Sequence, residues 1–493
     1  MTIKLYNTLT RKKEAFQPIR DGKVGIYACG ITVYDLCHVG HARSAVVFDV
    51  ISRYLRYRGH DVIFVKNYTD VDDKIIQKSH EADVGFADIS ERYIREHDED
   101  MDRLGVARPT FAPRATEHIE GMISLILSLM DKGLAYEVEG DVYYAVGNFP
   151  GYGKLSGRDL DEMMAGARVE VNDKKMNPLD FALWKASKEG EPWWESPWGK
   201  GRPGWHIECS AMSQCYLGET FDIHGGGEDL IFPHHENEIA QSEGSTGKPL
   251  ARYWVHNGFV RINSEKMSKS LDNFFTIRDM LKAYHPEVLR LFLLQSHYRN
   301  PVDFSEEALV EARTGMDRFY STLRRIKELL ALPSAGDAAD PSELSAKNMD
   351  MHEKLSSLPA QFIEDMDDDF NTARALGHMF EAVRLMNGFM ADRALARSPE
   401  TILIMQAAWD ILIDLGSVLG LFRTDPHIYF RQDREREAAK RGFDMAEIET
   451  LMAARQAARA ARNWKKADDI RDILAEKKIT IEDSPGGTTW KFE

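Results

Sequence analysis

The stretch KVGIYACGI (residues 23–31), TVYDLCHVGH (32–41), ARSAVVFDVISRYLRYRG (42–59) and HDVIFVK (60–66) decides the fold. Residues 23–31 form a run of apolar and small residues, as in a buried strand. Residues 42–58 carry apolar positions at helical spacing and stop at Gly59, a C-terminal helix signal. Residues 61–66 are a second apolar run of strand length. Strand, helix and strand make a βαβ unit, whose connection pairs its strands in parallel. In such α/β sheets ligands bind beyond the carboxyl ends of the strands, where a helix N-terminus presents unpaired N–H groups. The expected fold class is therefore α/β, a Rossmann-type parallel sheet.

Outward from that unit, helices are expected at 87–104 and 117–132, followed by short alternating runs such as YEVEGDVYYAV (136–146) and Trp-rich turns up to Pro203. This reads as an inserted, partly β subdomain. The α/β texture resumes through FDIHGGGEDL (221–230), a strand running into a Gly-rich turn, and FPHHENEIAQSE (232–243), which has a helical pattern. After Pro301 the chain reads as an all-α helical bundle, broken by an Ala/Pro/Ser/Asp-rich linker at 331–346. A small last unit at 425–493 combines charged helices with a strand-like ending.

With 493 residues the chain exceeds one hydrophobic core, and 43% hydrophobic with 29% charged residues fits a folded protein. No secretory leader is legible, and no apolar run is expected to reach the roughly 18 residues that cross a bilayer. The expectation is a cytoplasmic protein without membrane contact. Four cysteines, Cys29, Cys37, Cys209 and Cys215, argue against a disulfide framework and leave metal binding or catalysis open. The net charge of -16 confines any nucleic-acid site to a local basic patch.

His38-Val39-Gly40-His41 stands between the first strand and its helix. Two imidazoles at a helix N-terminus, with Gly40 admitting close backbone approach, can hold phosphate oxygens. Lys266-Met267-Ser268-Lys269-Ser270 places two lysines in a short polar run, able to neutralise charge on a polyphosphate. Each alone also fits an ordinary solvated loop. Cys29, Cys209, His234 and Glu238 are zinc-ligand types from separate segments, with His234 and Glu238 four apart. By helical spacing His235 is expected to point away from the His234 side, and Cys37 and Cys215 to be packed thiols.

HxGH followed by KMSKS resembles the paired signatures of class I aminoacyl-tRNA synthetases. The segments GITVYDLCHVGHARS, GWHIECSAMS, HGGGEDLIFPHHENEIAQSE and EKMSKSL are similar to those of the cysteinyl-tRNA synthetase family. The resemblance implies ATP-dependent activation of L-cysteine and its transfer to tRNA(Cys). It implies that His38, His41, Lys266 and Lys269 act in catalysis, with Gly40, His41, Gly226, Asp229 and Lys269 on ATP and its Mg2+. One zinc per chain would be held by Cys29, Cys209, His234 and Glu238. Gly30, Thr69, Trp205 and His224 would line the cysteine site. Zinc favours a thiolate over a neutral hydroxyl, which separates cysteine from serine where ordinary pockets do poorly. The open alternative is a closed four-ligand zinc that only holds the fold.

By the same resemblance, residues 1–115 and 204–250 are halves of the catalytic domain, 116–203 an inserted connective subdomain, and 251–310 a KMSKS-containing stem-contact region. Residues 311–424 are the helical bundle and 425–493 the anticodon-binding unit, with Arg459, Trp464 and Asp468 on tRNA. The residues themselves show Arg455, Arg459, Arg462 and Lys466 at helical spacing, expected to form one basic helix face. The family implies a monomer. Two rivals are a cysteine ligase acting on an amino-sugar, which has no need of the C-terminal unit, and a non-catalytic tRNA-binding relative, which has no need of intact motifs. An unrelated zinc hydrolase would show HExxH, which HHENE is not.

Overall fold

The computed structural model describes residues 2–159, 174–262, 265–266, 275–331, 344–391, 398–484 and 487–492. An antiparallel ribbon, β1 (Lys4–Asn7) and β2 (Lys12–Ala15), precedes the βαβ unit of β3 (Lys23–Thr32), α1 (Val39–Tyr57) and β4 (Asp61–Thr69). β3 and β4 pair in parallel, with Lys23 opposite Asp61 and an irregularity between Ala28 and Ile31. α1 starts at Val39 instead of Ala42, because His38 caps it and draws the HxGH motif into the first turn.

α2 (Asp73–Ala82), α3 (Phe86–Leu104) and α4 (Ile119–Asp131) follow. β5 (Ala135–Val138), β6 (Asp141–Tyr144), β7 (Phe181–Ala186) and β8 (Gly201–Pro203) then form an antiparallel sheet in chain order. α5 (Trp205–Leu217), β9 (Phe221–Gly227), α6 (Glu236–Thr246) and β10 (Ala251–Asn257) return the chain to the central sheet. That sheet has the order β10-β9-β3-β4 and is parallel throughout. Burial on both faces accounts for the apolar runs within β3 and β4. Tyr144, Leu183 and Trp184 of the insertion share one buried cluster with Tyr27, Val65, Ile207 and Trp254, so the insertion is built onto the core of the sheet.

Beyond the sheet, β11 (Val260–Ile262), β12 (Glu265–Lys266), α7 (Ile277–Ala283), α8 (Pro286–Leu294) and β13 (Val302–Phe304) follow, the three strands pairing in the order β12-β11-β13. The chain divides into two compact units, one of residues 1–277, 293–305 and 363–375, the other of residues 278–292, 306–362 and 376–493.

The second unit draws on α9 (Glu306–Leu330), α10 (Ala346–Ser356), α11 (Leu358–Asp367), α12 (Thr372–Met390), α13 (Pro399–Leu419) and α14 (Pro426–Arg441). It ends in the helix pair α15 (Met445–Ala460) and α16 (Trp464–Glu476) and the hairpin β14 (Ile479–Ser484) with β15 (Gly487–Phe492). These last elements bury Ile448, Ile470, Leu474, Ile479 and Trp490 together. The buried Glu287 carboxylate accepts from the Tyr320 hydroxyl at 2.9 Å and from the Phe422 and Arg423 N–H groups at 2.6 and 3.1 Å, joining α8, α9 and the turn after α13. The linker expected at 331–346 falls mostly outside the described residues.

The expectation that no apolar run reaches membrane-crossing length is corrected by α13, whose 21 residues are long and apolar enough by length and composition. Ile404, Met405, Ala408, Leu412 and Leu415 of α13 are buried, the pattern of a core helix.

Candidate active site

The site begins at the carboxyl end of β3. His38 Nδ1 accepts from the Gly40 N–H at 3.0 Å, and His41 Nδ1 accepts from the His38 N–H at 3.3 Å. The pair forms a reciprocal cap of α1, and the two rings stack with centroids 3.7 Å apart. With both Nδ1 atoms accepting, each neutral imidazole carries its proton on Nε2, an assignment that follows from the hydrogen bonds. Two N–H donors thus stand at the positive end of a helix dipole.

Cys29 and Cys209 approach to 3.7 Å between Sγ atoms, and Glu238 Oε1 lies 3.2 Å from Cys29 Sγ and 3.0 Å from His234 Nε2. All four side chains are buried. The Sγ separation fits the edge, about 3.8 Å, of a tetrahedron with metal–sulfur bonds of about 2.3 Å, and two thiols, an imidazole and a carboxylate are a zinc-compatible donor set. Cys29, His224, His235 and Glu238 form a second, overlapping group that could also hold an ion. The four ligand positions read from the sequence are thus brought together.

Electrostatics differentiate the donors. Burial, then the neighbouring Cys209, pushes the Cys29 thiol up, while a hydrogen bond from Cys29 brings Cys209 down to about 6 against the opposing effect of burial. Burial alone would lower His234, but the Glu238 carboxylate and Cys209 raise it to about 10. Burial would likewise raise Glu238, but the His224 and His234 charges hold it well below the usual carboxylate range. Metal ligation requires a neutral imidazole and deprotonated thiols, so ion binding at this cluster is coupled to proton release.

The structure corrects the expectation for His235. Residues 231–235 are not regular α-helix, since Phe232 has φ -140° and ψ 130° and α6 starts only at Glu236. Both histidines consequently reach the cluster, His235 Nε2 standing 3.3 Å from Cys29 Sγ. His235 Nδ1 contacts His256 Nε2 at 2.8 Å, and His206 Nδ1 contacts His234 Nδ1 at 2.9 Å. Asn67 Oδ1 accepts from the Gly30 N–H at 2.9 Å and faces Cys209 Sγ at 3.6 Å. Such partners orient metal ligands. His206, His256 and Asn67 reach the cluster from separate segments, and no spacing in the sequence marks them.

A cavity of about 600 Å³ opens beside the cluster, lined among others by Cys29, Gly30, His38, Gly40, His41, Lys66, Lys74, Trp205, Gly227 and Asp229. Trp205 stacks on His234 with centroids 4.1 Å apart, covering the cluster. Gly30 tolerates no side chain, as a Cβ there would stand 1.6 Å from the Asn67 carbonyl oxygen. Gly226 is buried, and a Cβ on it would press on Leu230 and the His235 ring, whereas Gly227 is the glycine that lines the cavity. Thr69 donates to Glu208 Oε2 at 2.7 Å, and His224 Nε2 contacts Glu238 Oε2 at 2.8 Å, so both are buried behind the cavity wall.

Lys266 lies in β12 with its side chain outside the described set, and Lys269 lies outside the described residues. Cys37 is buried as expected, whereas Cys215 is exposed, correcting its reading as a packed thiol. The single basic helix face is also corrected: α15 ends at Ala460, Arg462 takes φ 55° in the turn before α16, and Arg455 is buried. Arg459 is half-buried on α15, Trp464 opens α16 with 59% exposure, and Asp468 pairs with Arg471 at 3.1 Å.

The family model of the class I (C) tRNA synthetase catalytic domain matches residues 15–314. A DALR domain matches residues 361–423, and the cysteinyl-tRNA ligase anticodon binding domain matches 445–490. A cysteine–tRNA ligase of Geobacter metallireducens is 55% identical over 493 residues, and one of Syntrophotalea carbinolica 53% over 491, each match covering 100% of both chains. Among solved structures, Mycobacterium tuberculosis methionyl-tRNA synthetase in complex with methionyl-adenylate shares the fold at a TM-score of 0.63 and 17% identity, covering 80% of this chain and 91% of that one. With catalytic and anticodon-binding domains both matched and full-length relatives above half identity, the chain belongs to the cysteine–tRNA ligase family of class I aminoacyl-tRNA synthetases.

Proposed function

We propose that the chain activates L-cysteine with ATP and transfers it to tRNA(Cys). The observation that carries this reading is the thiol, imidazole and carboxylate cluster at the end of β3, opening on the same cavity as the HxGH turn. In activation a cysteine carboxylate oxygen attacks the α-phosphorus of ATP, the bond to the bridging oxygen breaks, and pyrophosphate leaves. His38 and His41 donate from Nε2 to the phosphate oxygens whose charge grows, and Gly40 keeps the backbone out of their way. Lys266 and Lys269 neutralise the leaving pyrophosphate, with Mg2+ accompanying ATP. Asp229 serves the adenosine side, backed by Gly226, whose lack of a side chain leaves room for Leu230 and His235 behind the wall.

Cys29, Cys209, His234 and Glu238 would hold one zinc ion. When bound it supplies a preference for a thiolate over a hydroxyl, the distinction between cysteine and serine. Gly30 and Trp205 border the amino acid, while Thr69 and His224 support it from behind the wall. In transfer, a hydroxyl of the 3'-terminal ribose of tRNA attacks the adenylate carbonyl, its proton passes to a phosphate oxygen of the adenylate, and the acyl–phosphate bond breaks to release AMP. Arg459, Trp464 and Asp468 contact the anticodon region, exposed Trp464 offering a face on which an unpaired base can stack. The enzyme works as a monomer in the cytoplasm, away from membranes, and its catalytic halves, insertion, stem-contact region, bundle and anticodon unit follow the division read from the sequence.

The test is charging of tRNA(Cys) transcript by the purified chain with each amino acid in turn. Cysteine-specific, ATP-dependent charging supports the reading; charging with another amino acid, or with none, refutes it.

A further inference from the structure

Lys66 stands on β4, the edge strand of the central sheet, opposite Ala28 of β3. It is half-buried and lines the same cavity as His38, His41 and Asp229. Among the described residues no carboxylate forms an ion pair with it. Cys37 and then Asp98 are the neighbours whose charge would reach it, and Asp98 is bound by Arg108 at 2.5 Å and by the Tyr68 hydroxyl at 2.5 Å. Burial draws Lys66 below the usual lysine range, the mark of a cation short of compensation. A lysine so placed on a cavity wall calls for an anionic ligand.

We propose that Lys66, with Lys74 and Tyr34, forms the margin of the cavity that receives the 3'-terminal nucleotides of tRNA for the transfer step. The proposal rests on the functional reading above. The reactants of activation already have their places. On that reading Asp229 marks the nucleotide side, where Gly227 and Asn257 line the cavity at the ends of β9 and β10, and the HxGH turn and the cluster lie at the end of β3. β4 lies on the other side of β3. The polyanion still to be accommodated is the strand whose ribose must reach the adenylate carbonyl.

The chemistry of the margin fits a single strand. Lys74, in the first turn of α2, holds Nζ 5.3 Å from the centre of the Tyr34 ring. An aromatic face with cations beside it grips single-stranded nucleic acid by stacking and phosphate neutralisation. Neighbouring cations are already used, since Asp73 takes both Lys185, at 2.7 Å, and Arg202, at 2.5 Å. Asp35, which also lines the cavity, is paired with Lys78 at 3.7 Å, so the positive charge left to this margin is that of Lys66 and Lys74.

The experiment compares full-length wild type, Lys66→Met and Lys66→Arg in two assays: cysteine-dependent ATP–pyrophosphate exchange without tRNA, and single-turnover transfer to tRNA(Cys). The expected result is exchange within about twofold of wild type for both variants, transfer slowed about tenfold in Lys66→Met, and recovery in Lys66→Arg. The salt dependence of tRNA binding should also weaken by about one phosphate contact in Lys66→Met. Unchanged transfer in Lys66→Met overturns the proposal, as does equal loss of exchange and transfer, which would put Lys66 on ATP instead. Absence of cysteine-dependent exchange in wild type would sink the functional reading, and this proposal with it.

Discussion

Cys29 Sγ and Cys209 Sγ lie 3.7 Å apart although 180 residues separate them in the chain. Cys29 lies near the carboxyl end of β3 and Cys209 lies on α5, so the contact exists only because the chain re-enters the sheet after the insertion. Glu238 closes the cluster against the histidines, and its distances fit a shared metal ion.

Replacing Cys209 by Ser is expected to lower zinc affinity at least about 100-fold, since even residues that merely orient ligands contribute 10–100-fold. Cysteine-dependent exchange should fall in parallel, with the C-terminal helices still folded by circular dichroism. Metal content measured after dialysis checks this, and stoichiometric zinc with full exchange in the variant would remove Cys209 from the ligand set.

Trp464→Ala should leave exchange within about twofold of wild type and weaken tRNA charging by roughly tenfold or more, because stacking on an aromatic is worth about 1–3 kcal/mol per base. The residue is 59% exposed, so its loss should not disturb the core of Ile448, Ile470 and Leu474. Steady-state KM for tRNA measures the effect, and equal losses in both assays would contradict an anticodon role.

Asp98 supplies a pH signature of the first unit. Burial would raise its pKa, but hydrogen bonds from His97, Tyr68 and Arg108, with the Arg108 charge, hold it well below the usual carboxylate range. A depressed folded pKa contributes stability above the unfolded value, about 4, and that stability is lost as the pH falls through the folded value. Asp98→Asn should therefore cost about 1 kcal/mol at pH 7 after allowance for solvent screening, and the gap to wild type should narrow below pH about 4. Thermal melts at pH 7 and pH 3 read it, and an undiminished gap at pH 3 contradicts the ion-pair account.

Much of the fold was legible because β3, α1 and β4 announce themselves by periodicity and by Gly59. The start of α1 was not, because capping by an imidazole has no spacing signature, and His38 and His41 cap it through their side chains. His235 was misplaced because a helical pattern was extended through residues 231–235, where Phe232 leaves the helix. The basic face failed for a related reason: the turn at Arg462 divides what periodicity reads as one helix, and Arg455 faces inward. Side-chain contacts across distant segments, such as Asn67 with Cys209 and His206 with His234, are tertiary facts that no local pattern encodes.

The most direct test of the central claim is ATP–pyrophosphate exchange with cysteine and with serine, on enzyme loaded with zinc and on enzyme stripped of it. The account predicts exchange that requires cysteine and is lost with the metal, with serine inactive in both states. Full exchange by the stripped enzyme, or serine accepted as well as cysteine by the loaded one, would contradict it.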